Sequence, residues 1–436
     1  MTVVKRDGRK VEFDKQKIRL AVLQAFNEVD KEETSYAKEK SRDIANYIEE
    51  YAKRADKDLS VEEIQDMVED KLMASNRKDI ARSYVIYRND RQREREKYKS
   101  LMKQVGEKLR AANVKNQNAN VDEKSFGGRT GEAADVLTRE YALENLISPM
   151  ARNNHENNEI YIHDLSSYAV GNHNCLTVPI DDLLAKGFNT RQVDIRPAQS
   201  VSTAFQLVAV LFQLQSLQQF GGVAASHLDW SMVPYVRKSF RKHYIDGLKY
   251  IENISNQELF DHIPDNAGIE DNEYMIYGKA YKYALDMTKK EIYQAVEAMY
   301  HNLNSLQSRS GNQLPFSSIN YGTCTLPEGR MVIKALLDVS IKGVGKLHRT
   351  SIFPCGIFQL MKGVNREPGD PNYDLYRLAL RSTAQRLYPN YANCDWSGNA
   401  GYDKNDPKTY FATMGKRKLI AHVKPFEPRQ RVSNLG

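Results

Sequence analysis

Residues Ser200 to Gly222 read SVSTAFQLVAVLFQLQSLQQFGG, and the interpretation of this stretch organises the rest of the chain. Between Arg196 and Asp229 there is no Asp, Glu, Lys or Arg, although 27% of all residues are charged. Such a segment is driven out of water. Ser200 or Ser202 can serve as N-cap, because a hydroxyl accepts from an orphan amide of the first turn, and Gly221-Gly222 supplies a left-handed stop. The expected helix has roughly 20 residues and is about 30 Å long. Length and apolarity alone would admit a membrane span. However, Gln206, Gln213, Gln215, Gln218 and Gln219 would each carry an amide into hydrocarbon at a cost of several kcal/mol. The pattern therefore predicts a helix at the centre of a large domain or between subunits.

Working outward, 436 residues allow about three domains, or one large α/β domain with an appendage. The formal net charge of +7 suits a polyanionic partner, either a nucleotide or nucleic acid. No zinc-finger or RNA-recognition motif supports nucleic acid. The four cysteines, Cys175, Cys324, Cys355 and Cys394, form no CxxC pair, so neither a disulfide framework nor a metal site within the chain is expected. The start MTVVKRDGRKVEF has no apolar h-region, and a reducing, cytoplasmic setting without membrane insertion is the expectation.

Residues 1–95 read as a separate small unit. Two short strands, Thr2 to Val4 and Lys10 to Phe13, flank Asp7-Gly8, a signal for a type I′ hairpin turn. Asp14 caps a helix with apolar residues at Ile18, Ala21, Val22 and Phe26. A second helix spans Tyr36 to about Ala52, and Ser60 with Glu63 forms a capping box for a third. The mixed-charge run Arg88 to Lys99 reads as a solvated helix face, and 96–128 as a linker.

From Thr130 the pattern turns α/β. A helix from Glu132 to Met150 precedes a short strand at Glu159 to Asp164, and GNHNCLTVPI is a strand presenting Cys175. After the central helix, MVPYVRKSFRKHY is a helix started or kinked at Pro234, with a basic face at Arg237, Lys238, Arg241, Lys242 and His243. Further strands are expected within Gln313 to Thr325 and Ser351 to Leu360. Helices are expected at Tyr274 to Leu306, Met331 to Ile341 and Leu375 to Leu387.

VVKRDGRKVEFDKQKI, LSVEEIQDMVEDKL and ARSYVIYRNDR, in that order, resemble the ATP-cone, a regulatory module that binds ATP or dATP. The resemblance implies Lys5, Arg6, Asp7, Lys17 and Ile18 as nucleotide-binding positions. Converging cations suit a triphosphate.

The run from about 120 to 415 resembles the anaerobic, class III ribonucleoside-triphosphate reductases, through YIHDL, GNHNCL, RPAQSVSTAFQLVAVLFQLQSLQQFGGVAASHLDW, PYVRKSF, SSINYGT, SIFPCGIFQLMKGVN and DPNYDLYRLAL. The implied fold is a helical ATP-cone with a β-hairpin, then over 129–415 the first half of a ten-stranded α/β barrel. The resemblance assigns Cys175 as a hydrogen donor to the substrate radical, with Asn174 and His173 beside it. It also implies a homodimer binding a deoxynucleoside triphosphate effector near Arg196, Gln199 and Lys242, ribonucleoside triphosphate substrates and a radical-SAM activating partner. Where the family has Met-Gly-Cys-Arg, this chain reads Met414-Gly415-Lys416-Arg417. An ammonium cannot replace a thiyl-forming cysteine. With 416–436 reading as a divergent tail, and the radical glycine and zinc region of the family not seen, the chain alone is expected to be inactive. The alternative is a non-catalytic nucleotide-binding or dimerisation fragment.

Overall fold

Alternation at Thr2–Val4 and Lys10–Glu12 produces two antiparallel strands, β1 and β2, with Val3 opposite Val11. The structure, a computed structural model, describes residues 2–55, 57–110, 125–171, 174–190, 192–219, 221–308, 313–396, 398, 401–414 and 418–419. The turn differs from the expected type I′. Lys5 N donates to Arg9 O and Gly8 N to Lys5 O, both at 2.8 Å, and only Gly8 takes a left-handed φ, of 80°. A three-residue loop ending in left-handed glycine needs no positive φ at Asp7, and the Asp7 carboxylate is used instead on the Arg9 amide at 3.1 Å. Strand β3 (Leu59–Ser60) joins β1 in parallel. Around this sheet pack α1 (Lys15–Asp30), α2 (Ser35–Ala55), α3 (Val61–Met73) and α4 (Lys78–Arg110). Asp14 caps α1 through the Gln16 amide, and Ser60 and Glu63 form a reciprocal capping box on α3. The core holds Val22, Phe26, Ile48, Leu59, Val68 and Leu72. The helical run continues to Arg110, so 96–110 of the expected linker is helix. The chain divides into two compact units, 1–106 and 107–436.

In the second unit the expected helix Glu132 to Met150 is two helices, α5 (Phe126–Asn145) and α6 (Pro149–Glu156). Pro149 cannot continue the first helix, and Ser148 caps the second through the Ala151 amide at 3.3 Å. The strand expected at Glu159 to Asp164 does not form. Ile160 and Tyr161 are exposed and the Ile162 amide donates to His155 Nδ1 at 3.3 Å, so the segment turns back on α6 before α7 (Leu165–Tyr168).

Next come β4 (Leu176–Thr177), α8 (Ile180–Lys186), the small ribbon β5 (Phe188–Asn189) and β6 (Asp194–Ile195), and α9 (Val201–Ser216). They are followed by β7 (Val223–Ala225), α10 (Leu228–Tyr250), α11 (Gln257–His262), α12 (Asn272–Met275) and α13 (Gly278–Ser305). The chain continues through β8 (Ser317–Tyr321), α14 (Pro327–Lys342), β9 (Cys355–Leu360), α15 (Tyr373–Arg386) and β10 (Asn390–Asn393). A short ribbon, β11 (Thr413–Met414) with β12 (Lys418–Leu419), ends the described residues.

Strands β4, β7, β8, β9 and β10 form one sheet in sequential order, every neighbouring pair parallel. Helices fill the crossovers, as parallel pairing requires. Helix α9 is the buried core helix that its composition predicted: Val201, Ala204, Phe205, Val208, Ala209 and Phe212 are fully enclosed. It has 16 residues and stops at Ser216, shorter than expected, with Ser200 as its cap. Gln213 satisfies its amide on Asn302 Oδ1 at 2.6 Å. Helix α10 begins at Leu228 and runs through Pro234. Among the described residues no helix is long and apolar enough to cross a membrane.

Candidate functional site

The first unit contains a cavity of about 580 Å³, large enough for a nucleotide, between the hairpin, the start of α1, α3 and α4. Its apolar wall includes Val3, Phe13, Ile18, Val61, Ile64 and Tyr84, and its charged rim includes Lys5, Arg6, Asp7, Lys17, Arg95 and Lys99. The five residues singled out here from the sequence, Lys5, Arg6, Asp7, Lys17 and Ile18, all line this one cavity. Burial pushes the Tyr84 hydroxyl up to about 12, so it stays a neutral donor.

The charges at this rim are cross-linked. Arg6 pairs with Glu62 and its Nη2 donates to Gln65 Oε1 at 2.7 Å, while Lys17 sits 3.6 Å from Asp14. Arg6, then Arg88, holds the Glu62 carboxyl below its usual range, against opposing desolvation. Arg88 departs from the expected solvated face. Its guanidinium, 18% exposed, meets Glu62 at 3.0 Å, Asp66 at 2.7 Å and Glu69 at 2.9 Å, tying α4 to α3.

In the second unit the site follows from strand parity. Directly opposed residues in parallel strands point to the same side. Val223, Ala225, Ile319, Tyr321 and Phe358 face the helices and belong to the main core, and Tyr391 packs against it. The opposite face therefore carries Thr177, Ala224, Ser318, Asn320, Ile357 and Gln359 in register, whereas Cys355, the first residue of β9, packs against the helix-side core. Cys175, two residues before Thr177, extends the ladder on that same side, since the Leu176 amide donates to Gly222 O at 3.1 Å. The Gly222 amide donates to Cys175 Sγ, and the thiol donates to Asn174 Oδ1, each at 3.4 Å. His173 lies outside the described residues.

Gly221 is required where it stands, because a Cβ there would collide with the Asn174 carbonyl. Two polar atoms on this face, Thr177 Oγ1 and Gln359 Oε1, are buried without a hydrogen-bond partner among the described residues. An incoming strand occupies part of the face. Asn320 Nδ2 donates to Thr413 O and Asn320 Oδ1 accepts from the Thr413 amide, both at 3.0 Å, while Gln359 Nε2 donates to Phe411 O at 2.9 Å. Lys416 follows this strand, outside the described residues.

Sequence reasoning missed how the loop after β8 is held. Asp229 Oδ2 accepts from the amides of Gly322, Thr323 and Cys324 at 2.9, 3.0 and 2.9 Å. Burial pushes this carboxyl up, and the amides oppose the shift. Trp230 Nε1 donates to Thr323 Oγ1 at 3.0 Å, and Asn365 and Asn372 donate to the Gly322 carbonyl at 2.9 and 3.1 Å. The HLDW and NYGT blocks are thus two halves of one clasp. At the neighbouring strand ends, His227 bridges Asp181 Oδ2 at 2.7 Å and Ser226 Oγ at 2.6 Å.

Of the residues expected near an effector, Gln199 is joined to α10 through Lys238 at 3.3 Å, whereas Arg196 and Lys242 are both exposed. Lys238, one turn from Lys242, is the basic residue that holds the loop, also reaching Ala198 O at 3.2 Å. Beside it Glu291 receives His243 Nε2 and Ser202 Oγ, each at 2.8 Å.

Comparison with known proteins identifies the family. A family model described as anaerobic ribonucleoside-triphosphate reductase matches residues 117–435, and an ATP cone domain model matches residues 1–93. The anaerobic ribonucleoside-triphosphate reductase of Haemophilus influenzae is 32% identical over 397 residues, covering 90% of this chain and 52% of the relative. That of Escherichia coli is 30% identical over 396 residues, covering 90% and 51%. The chain spans about half the length of the curated relatives it matches. The anaerobic ribonucleotide reductase from Thermotoga maritima in complex with dATP and CTP aligns with a TM-score of 0.44 at 14% identity, over 69% of this chain and 48% of that one. By its sequence matches, this chain belongs to the anaerobic ribonucleoside-triphosphate reductase family.

Proposed function

We propose that the chain forms the regulatory and first catalytic half of a reductase that converts ribonucleoside triphosphates to deoxyribonucleoside triphosphates for DNA synthesis. Five parallel strands in sequential order are the first half of a ten-stranded barrel on this reading, and their polar face is its interior. The observation that carries the proposal is Cys175 on that face, in register with the buried polar row that seats residues 411–413. An interior thiol suits radical chemistry because its S–H bond is weak enough to yield a hydrogen atom to a carbon-centred radical, leaving a sulfur radical that an external reductant must return to thiol. Asn174, accepting from the thiol, orients that hydrogen. In the family, which also carries a structural zinc, a glycyl radical starts this chemistry, and a radical-SAM activating enzyme is the partner that installs it.

The cavity of the first unit binds ATP or dATP. Its apolar wall takes the base, and Lys5, Arg6 and Lys17 take the phosphates once Arg6 exchanges Glu62 for the ligand. A deoxynucleoside triphosphate effector binds across a homodimer near Arg196, Gln199 and Lys242, where Lys238 presents the loop to the basic face of α10. With Lys at 416 in place of the thiyl-forming cysteine, the chain by itself is a nucleotide sensor without turnover.

The test is an anaerobic assay with activating enzyme and reductant, alongside calorimetric titration with ATP and dATP. Nucleotide binding without product formation is the expected result. Deoxynucleotide formation by this chain alone would refute the assignment of inactivity, and absence of any nucleotide binding would refute the assignment of the cavity.

A further inference from the structure

We propose that Arg95 and Lys99, on α4 beyond the end of the ATP-cone match at residue 93, are ligands for the distal phosphates of a nucleoside triphosphate held in the cavity. The inference rests on the nucleotide reading of that cavity and adds to it the part of the ligand that these two residues recognise.

Gln92, Arg95, Glu96 and Lys99 all line the cavity, and the spacing of three and four residues puts them on one face of the helix. From Gln92 to Lys99 that face runs about 10 Å along the axis, the scale of a polyphosphate chain. Two of the other three cations at the rim are committed. Arg6 is engaged by Glu62 and Gln65, and Lys17 by Asp14. Arg95, half-buried, and Lys99, exposed, have no hydrogen bond or ion pair among the described residues, so binding an anion there breaks no existing contact.

Charge balance leads to the same residues. The lining contains five carboxylates, Asp7, Glu12, Asp14, Glu62 and Glu96. Against them the hairpin and α1 supply three cations, Lys5, Arg6 and Lys17, which leaves a net negative cavity that repels a triphosphate. Arg95 and Lys99 bring the lining to five against five. The affinity of the site for the most highly charged ligand therefore depends on α4.

The experiment titrates the full chain with ATP, ADP and AMP, comparing wild type with the double variant Arg95→Ala, Lys99→Ala. The expected result is an ATP affinity about 10- to 100-fold weaker, a smaller loss for ADP and none for AMP, because charged hydrogen bonds to the outer phosphates are what is removed. Arg95→Lys in an otherwise intact chain should retain much of the affinity. Arg93→Ala, which does not line the cavity, should bind as wild type does. Wild-type ATP affinity in the double variant would overturn the inference while leaving the nucleotide site in place. An equal loss for ATP and AMP, with circular dichroism reporting altered helix content, would assign the two residues a structural role and also overturn it. A wild-type chain that binds none of the three nucleotides would overturn both readings.

Discussion

Side chains of the second unit reach backbone groups far along the chain, whereas the side-chain bonds to backbone described in the first unit are local. In the first, Asp14 serves the Gln16 amide and Ser60 the Glu63 amide, two and three residues away. In the second, Asp229 serves amides 93 to 95 residues away and Asn320 serves Thr413, 93 residues away. Local closure lets a small module fold on short-range instructions. Long-range closure makes the sheet and the loops at its strand ends one cooperative object, so a single buried polar side chain there affects parts of the chain remote in sequence. This contrast separates a unit of exposed, exchangeable ion pairs from a sheet face whose geometry is held by buried groups.

The largest expected effect comes from cutting the long-range clasp. Asp229→Ala leaves three buried amides without an acceptor, and a loss of about 3 kcal/mol or more is expected for the second unit. Denaturant unfolding followed by the fluorescence of Trp230 and Trp396, both in the second unit, measures it. Asp229→Asn, which keeps an acceptor oxygen, should lose less. Equal stability of Asp229→Ala and wild type would break the contrast between the units.

Gly221→Ala comes next. The new methyl must displace the Asn174 carbonyl, and with it the Cys175 thiol held between Gly222 and Asn174. A destabilisation of about 1–3 kcal/mol is expected, as for an overpacked site. The more specific readout is faster alkylation of Cys175. An unchanged alkylation rate would show that Gly221 does not position the thiol.

How far each region was legible follows from the same contrast. Asp14, Ser60 and Glu63 were readable because a cap acts on its own helix. Lys5, Arg6, Asp7, Lys17 and Ile18 came from the resemblance to the ATP-cone, and they meet at one cavity because the hairpin and α1 adjoin in sequence. Arg88 was misread as part of a solvated face and the cavity lining by Arg95 and Lys99 went unseen, although most of that run is exposed, since charge alternation does not reveal that α3 and the hairpin pack beside that helix. In the second unit the buried nature of α9 was legible from composition, but its end was not. Gly221 looks like a helix stop, whereas its observed constraint is contact with Asn174, which no local pattern encodes. The strand expected at Glu159 to Asp164 failed for a related reason: β-prone Ile160, Tyr161 and Ile162 had no partner strand, and His155 took the amide instead. Asp229, Asn320 and Gln359 were quoted within motifs but could not be assigned roles before their partners were known.

On the local side of the contrast, Ser60→Ala removes one half of the capping box. It is expected to cost the first unit about 1 kcal/mol, measured by thermal unfolding, without altering the second unit. A loss shared by both units would sharpen the comparison in the other direction, by showing that the first unit and the sheet fold as one.

The smallest expected effect concerns Glu291, where the second unit uses an ionic group as a long-range tie. Burial alone would raise this carboxyl, but hydrogen bonds from His243 and Ser202 outweigh it and bring it down to about 2. A carboxyl whose folded value lies below its unfolded value of about 4.3 adds stability that is fully present above the unfolded value and is lost as pH falls through the folded one. The window is therefore about pH 4.3 down to about 2. The side chain is 20% exposed, so solvent screening limits the contribution to a few tenths of a kcal/mol up to about 1 kcal/mol. Glu291→Gln should flatten the acid limb of the second unit's stability across that window and leave the limb above pH 5 parallel to wild type. Since Glu291 also bonds Ser202 at the start of α9, the variant should loosen the first turn of the helix that carries the core, measured as faster amide exchange there. An unaltered acid limb would mean that the pair adds geometry and not stability, leaving neutral long-range ties such as Asn320 to hold this unit together.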